Sequence, residues 1–309
     1  MKKIILVIGF LAILANIIAY NHAYQFTHFT NTSGKRLKPE DLSLFQKAKV
    51  LFTGVSNPKP KNETLPQSPY EVIKIESHEP LEGWLIEAEK PKGVVILFHG
   101  YSGSKSGILN YGLAFNQFGY TTLLMDFMGS GGSGGLKTTI GYQESRDVKE
   151  SYEFIKEKYP NQKIILFGSS MGAVSIMKAL NDYEMTPDKI ILECPFGSFK
   201  LTVEKRFEAM KVPSFPFAHL LLFYGGLQNG FNAFKHNPTE YAKRIDAPTL
   251  LIYGAKDKRV TIGEIQTIFE HLGGAKELMV LEQSGHENYL VNSQKVWKKK
   301  VQSFMEQAF

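Results

Sequence analysis

Five consecutive residues, Gly168-Ser169-Ser170-Met171-Gly172, have the types and spacing of a nucleophile turn. They follow the apolar run Lys163 to Phe167 and open a helical pattern. A strand that turns sharply into a helix needs small residues on both sides of its apex, and Gly168 and Gly172 meet that need. Such a turn would hold the Ser170 hydroxyl above a sheet, at a helix N-terminus where positive dipole is concentrated. Ser169 is off the G-x-S-x-G spacing and is read as structural. A serine hydroxyl is a weak nucleophile until a base takes its proton. His286, in Ser284-Gly285-His286-Glu287-Asn288, is the expected base, since it lies in the loop after the last strand pattern. The imidazole in turn needs an acid to fix its tautomer and stabilise its cation. Asp257, just past the apolar run Pro248 to Tyr253, is the expected acid, with Glu193 as its rival.

Acyl transfer also needs donors for the oxyanion. The residue after the nucleophile supplies one backbone N–H, here that of Met171. The other is expected from His99-Gly100-Tyr101-Ser102-Gly103, where Gly100 permits close backbone approach and Tyr101 N–H is the donor. His99 is read as a brace for this loop, not as a second base. No cofactor or metal is expected, because His99, Asp126 and Glu193 have no ligand spacing. The glycine-rich stretch after Asp126 lacks the Gly-Lys-Ser/Thr ending of a phosphate loop.

These groups need a frame. Glu71 to Ile75 and Leu81 to Ala88 alternate apolar and polar residues, as a half-buried antiparallel pair does. Gly93 to Phe98, Tyr120 to Met125, Lys163 to Phe167, Lys189 to Leu192 and Pro248 to Tyr253 are continuous apolar runs, as for strands buried on both faces. Leu278 to Leu281 is a shorter one. Helical patterns at Ile108 to Phe118, Tyr142 to Tyr159, Met171 to Leu180, Ile262 to Leu272 and Tyr289 to Phe304 separate most of them. This alternation predicts an α/β fold with a mostly parallel central sheet and helices on both faces. Chemistry in such sheets sits beyond the carboxyl ends of the strands. The motifs fall there.

The four stretches His99 to Gly103, Gly168 to Gly172, Gly254 to Asp257 and Gly285-His286 together resemble the α/β-hydrolase superfamily, over roughly residues 70 to 309. The order Ser170, Asp257, His286 is its nucleophile-acid-base order. The resemblance is to a membrane-anchored or exported branch of esterases and lysophospholipase-like enzymes. It implies a serine hydrolase with those three catalytic residues. One departure is Asp126-Phe127-Met128-Gly129-Ser130-Gly131-Gly132-Ser133: many relatives carry D-x-R-G-x-G-x-S, and the arginine is missing here.

The chain has 309 residues, 43% hydrophobic and 21% charged, which is ordinary globular composition. Its single cysteine, Cys194, excludes an internal disulfide and a multi-thiolate zinc site. Its apolar neighbours make it a buried, inert thiol. A net charge of +6 favours anionic surfaces or acidic ligands, while no nucleic-acid motif is present. At the N-terminus, Lys2-Lys3 precede an apolar run from Ile4 to Tyr20 broken only by Asn16. Neither Ala19 nor Ala23 has the small residue three positions upstream that a cleavage site needs. Residues 1–22 are therefore read as an uncleaved single-pass anchor, with a cleaved signal and secreted or periplasmic protein as second choice. The lysines put the N-terminus inside and the catalytic domain on the exported side.

Residues 23–68 are then a juxtamembrane region and linker, with a helical pattern at Leu37 to Phe52. Residues 69–309 form the hydrolase domain. An insertion at about 197–246 is rich in aromatics and leucine, suits a helical cap, and points to a small-molecule or lipid-like ester (or thioester) of a hydrophobic acyl group. The same triad serves peptidases, so an aminopeptidase-like activity is the alternative. A catalytically silent binding protein would have lost Ser170, Asp257 or His286, and all three are present.

Overall fold

The eight strands run as one sheet in a computed structural model that describes residues 1–32 and 43–308. They are β1 (Glu71–Ile75), β2 (Leu81–Ile86), β3 (Val94–Phe98), β4 (Thr121–Asp126), β5 (Ile164–Ser169), β6 (Lys189–Glu193), β7 (Thr249–Gly254) and β8 (Lys276–Leu281). The order across the sheet is β1-β2-β4-β3-β5-β6-β7-β8. The first two pairings, β1 with β2 and β2 with β4, are antiparallel, and the rest are parallel. The five residues of β3, all apolar, are fully buried, as the continuous run requires. Within β1, Ile73 and Ile75 are buried and their neighbours exposed, the period-two pattern of an edge strand with one wet face.

The helices, numbered along the chain, are α1 (Lys2–Thr27), α2 (Leu44–Thr53), α3 (Leu109–Gln117), α4 (Glu144–Lys158), α5 (Met171–Asp182), α6 (Phe199–Ala209), α7 (Phe217–Asn229), α8 (Pro238–Tyr241), α9 (Ile262–His271), α10 (Tyr289–Asn292) and α11 (Gln294–Glu306). The expected terminal helix from Tyr289 is thus two. Asn288 caps the first by accepting from Val291 N–H, and the chain breaks at Ser293 before α11.

The chain divides into two compact units. One is residues 60–198 with 237–309 and holds the whole sheet. Its core includes an aromatic cluster in which Trp297 of α11 meets Tyr111 and Phe115 of α3, with ring centroids 5.3 and 5.7 Å apart. The other is residues 1–59 with 199–236. There α1 packs along α7 and against α2. The first helix does not end near residue 22, where the anchor segment is expected to stop, but continues to Thr27. Part of the expected helical pattern at 37–52 lies outside the described residues. The rest is α2, started by a capping box in which Ser43 and Gln46 satisfy each other's backbone N–H.

Candidate active site

Ser170 stands between β5 and α5 with φ 52° and ψ −112°, a backbone state that costs a non-glycine residue about 1–3 kcal/mol. Neighbouring backbone holds it there. Ser170 N–H donates to Glu193 O at 2.8 Å, and Ser170 O accepts from Val174 N–H at 3.1 Å. The turn is as tight as the motif implies. A Cβ on Gly172 would lie 2.3 Å from Phe98 O, and one on Gly168 would lie 2.5 Å from the backbone of Gly172. Only hydrogen fits at either position, so β3, the turn and α5 can close on one another.

The three candidate triad side chains meet. Ser170 Oγ lies 2.9 Å from His286 Nε2, and His286 Nδ1 lies 2.7 Å from Asp257 Oδ2. With Nδ1–H donated to the carboxylate, Nε2 of the neutral ring accepts the serine O–H. Asp257 is itself oriented: its Oδ1 accepts from Arg259 N–H at 2.7 Å and Val260 N–H at 3.0 Å. Burial alone would raise the Asp257 pKa, but the His286 imidazole and these N–H groups outweigh it and hold the carboxyl below its ordinary value. At His286 burial opposes the cation, while Cys194 and the Asp257 carboxylate favour it, and the balance raises its pKa. The loops carrying acid and base approach each other closely at Gly254, where a Cβ would stand 2.5 Å from Ser284 O. Gly254 N–H also donates to Tyr289 Oη at 2.9 Å, tying the end of β7 to α10.

The two segments expected to supply oxyanion donors adjoin Ser170. Met171 is the first residue of α5, so its N–H has no partner within the helix. The loop after β3 passes beside the nucleophile: a Cβ on Gly100 would lie 3.5 Å from Ser170 Cβ. Tyr101 follows inside a turn closed by Gly103 N–H donating to Gly100 O at 3.1 Å. His99 braces this loop. Its Nε2 accepts from Phe127 N–H at 3.2 Å, so Nδ1 carries the proton and donates to Gly100 O at 2.8 Å. Burial lowers its pKa and keeps it neutral. Both nitrogens are engaged, which removes it as a base.

Glu193, the rival acid, is engaged elsewhere. It accepts from Tyr111 Oη–H at 2.8 Å and Trp297 Nε1–H at 2.6 Å, and burial pushes its pKa up to about 8. Cys194 is buried, as its neighbours imply, but it is not remote from the site. Its Sγ, an Asp257 oxygen and a His286 nitrogen all lie within 4.8 Å of one another. Those three could in principle ligate a metal, yet both His286 nitrogens are already committed to Ser170 and Asp257. Sequence patterns give no sign of this proximity, because Cys194, Asp257 and His286 follow three different strands, β6, β7 and β8.

The glycine-rich loop that lacks the arginine is held through Asp126 by Lys105, a residue that motif reading passes over. Fully buried, its Nζ donates to Asp126 Oδ2 and, at 2.9 Å, to Glu82 Oε1, and it stands 4.8 Å from the Trp84 ring centroid. Its backbone N–H donates to Asp126 Oδ1 at 2.7 Å. Burial would raise the Asp126 pKa, but Lys105 and the Asn62 hydrogen bond hold it below its ordinary value. The carboxylate then accepts from Gly132 N–H at 2.8 Å and fixes the glycine-rich loop.

Comparison with known proteins bears on the fold and the class of protein. A model of the family described as serine aminopeptidase, S33, matches residues 89–222, which include Ser170 but neither Asp257 nor His286. The chain is 26% identical over 313 residues to the uncharacterized protein YqkD of Bacillus subtilis strain 168, covering 99% of this chain and 98% of that one. It is 24% identical over 186 residues to the lysophosphatidylserine lipase ABHD12 of Macaca fascicularis, covering 56% of this chain and only 44% of the lipase. Among solved structures, the esterase Pf2001 of Pyrococcus furiosus superposes with a TM-score of 0.66 at 25% identity, over 80% of this chain and 97% of the esterase.

Proposed function

We propose that the chain, which is similar to proteins described as esterases and lipases, hydrolyses carboxylic esters (or thioesters) of hydrophobic acyl groups through an acyl-Ser170 intermediate. The observation that carries this reading is the unbroken hydrogen-bonded line from Ser170 Oγ through His286 to Asp257. Ser170 Oγ attacks the acyl carbonyl carbon while His286 Nε2 takes its proton. Asp257 holds the imidazolium at Nδ1. The oxyanion forms between the N–H groups of Met171 and Tyr101, donors that typically contribute about 10²–10³ each in rate. Collapse expels the alcohol, which leaves with the proton from His286. A water then repeats the sequence at the acyl carbonyl, releasing the acid and restoring Ser170.

A fluorophosphonate probe tests the nucleophile. It should label the protein and not Ser170→Ala, whose kcat on p-nitrophenyl esters should fall on the order of 10⁶-fold. Equal labelling of both sinks the assignment. The acyl preference rests on the aromatic and leucine content of the 197–246 insertion and on the likeness to a lysophospholipid lipase. A p-nitrophenyl ester series favouring acetyl over longer chains would count against it. The family description favours one second reading, an aminopeptidase. Faster turnover of amino-acid p-nitroanilides than of esters would establish that instead.

We place the enzyme at a membrane, anchored by α1. This helix of 26 residues is long and apolar enough to cross a bilayer, and Ile4 to Ile17 present mostly exposed apolar side chains. Intact N-terminal mass after expression decides between the anchor and a cleaved signal.

A further inference from the structure

Crossing a hydrocarbon core of about 30 Å takes about 20 helical residues. Counted from Lys3, the span must reach about residue 22. Residues 1–13 of α1 are exposed throughout, but Ala19 and Ala23 are buried, and this second half is where α7 packs. Tyr224 Oη–H donates to Asn16 Oδ1 at 2.7 Å, Gln228 Nε2–H donates to Tyr20 O at 2.9 Å, and the Tyr20 and Tyr224 rings meet edge to face at 5.6 Å. The one polar break in the apolar run is therefore satisfied twice over, by Tyr224 and by its own donation to Ala12 O at 2.8 Å. A helix that partners residues 16 to 20 of α1 lies at the depth of those residues.

The side chains of α7 fit that depth. It carries no Asp, Glu, Lys or Arg in 13 residues. Ala218, Leu222, Gly226 and Asn229 are buried, while Phe223 and Leu227, one helical turn apart, are 52% and 64% exposed. Phe215, ahead of the helix, is 73% exposed. An apolar groove of about 490 Å³ opens beside α7, with Phe223, Leu227, Phe231 and Phe234 on its walls. Contiguous exposed aromatic surface of this kind is an interaction site in a soluble setting and a lipid-facing surface in a membrane.

Charge selects between them. The segments 1–59 and 199–236 hold thirteen of the chain's 36 Lys and Arg residues but four of its 30 Asp and Glu residues. Leaving out Lys2 and Lys3 at the far end of α1, seven excess positive charges belong to this unit, and three excess negative charges to the rest of the chain. Basic residues flanking an apolar surface are attracted to anionic headgroups within a Debye length of the surface. Lys200, Lys205 and Arg206 lie on α6, which packs on α7, and Lys211 follows it.

Building on the α1 anchor proposed above, we infer that α7 and the segment leading into it are a second membrane-contacting element, with Phe215, Phe223 and Leu227 in the apolar boundary of an anionic bilayer. The occupant of this face is lipid.

The test uses the full chain in vesicles of phosphatidylglycerol and phosphatidylcholine, with or without bromine in the upper acyl chains. Tryptophan is introduced singly by Phe223→Trp or Leu227→Trp in α7, by Ile8→Trp in α1, and by Leu65→Trp, which is 56% exposed in the sheet-bearing unit. Trp84 and Trp297 are buried and give a background measured on the unsubstituted chain. An apolar face in the boundary layer sits about 5–10 Å deep, so brominated lipid should cut the added emission at 223 and 227 roughly twofold. The emission at 65 should not change. Quenching at 8 without quenching at 223 and 227 overturns this inference and leaves the anchor standing. No quenching at 8 overturns the anchor itself, and this inference with it. Emission at 223 that responds to protein concentration and not to bromine assigns the face to a second copy of the chain and also overturns it. Thermal midpoints within the range of the unsubstituted chain confirm that each variant is folded.

Discussion

In the proposed mechanism the protonation of His286 governs the pH at which Ser170 can act. A neutral ring takes the serine proton; an imidazolium cannot. Burial works against the cation, but Cys194 and the Asp257 carboxylate favour it, and the folded-state pKa lies above the ordinary 6.5. The acid limb of kcat/KM therefore has its midpoint above that value, and activity falls as pH drops through it. In Asp257→Asn one of the groups that raise the pKa is gone, so the midpoint moves down, while kcat falls by about 10⁴ because the tautomer is no longer fixed. A pH–rate profile on a p-nitrophenyl ester checks this. A midpoint at or below 6.5 in the unsubstituted enzyme, or unmoved in Asp257→Asn, would show that another group titrates.

At the scale of elements, the elbow is the least forgiving junction. Gly172→Ala drives a methyl to 2.3 Å from Phe98 O, against backbone that cannot step aside, and should cost about 1–3 kcal/mol in urea unfolding along with most of the activity. Gly107→Ala meets nothing within 4 Å and should be silent in both. The buried Lys105–Asp126 pair makes a second expectation. Lys105→Met leaves a carboxylate buried without its cation, a loss of about 3–5 kcal/mol, and adding Asp126→Asn should restore part of it. Equal denaturation midpoints for the single and double variants would count against the pairing. These two junctions differ in how far the sequence reveals them. The elbow is local: an apolar strand, two glycines and a helix occupy one short stretch, so its geometry and that of every central strand can be read from residue types. Lys105 is 21 residues from Asp126, and Cys194 comes near Asp257 because β6 lies beside β7. No spacing rule encodes such contacts. The end of α1 is equally hidden, since apolar residues give way to polar ones at position 21 while the helix, packed on α7 and α2, continues.

For the whole molecule, the decisive question is the side of the membrane on which the sheet-bearing unit works. Lys2 and Lys3 directly adjoin the apolar helix, whereas on its far side the first basic residues are Lys35, Arg36 and Lys38. Positive residues are retained inside most strongly when they flank the span closely, and their influence fades beyond about 15–20 residues. With α1 as the proposed anchor and Lys2 and Lys3 inside, the serine, acid and base would lie outside. The single cysteine makes this measurable. Cys194 is buried, so the native chain should react poorly with a membrane-impermeant maleimide. Leu65→Cys adds a thiol at an exposed position in the sheet-bearing unit. In intact cells that variant should label to the same extent as after lysis. Labelling that appears only after lysis would reverse the orientation, placing the proposed ester hydrolysis on the inner face while leaving the chemistry at Ser170 unchanged.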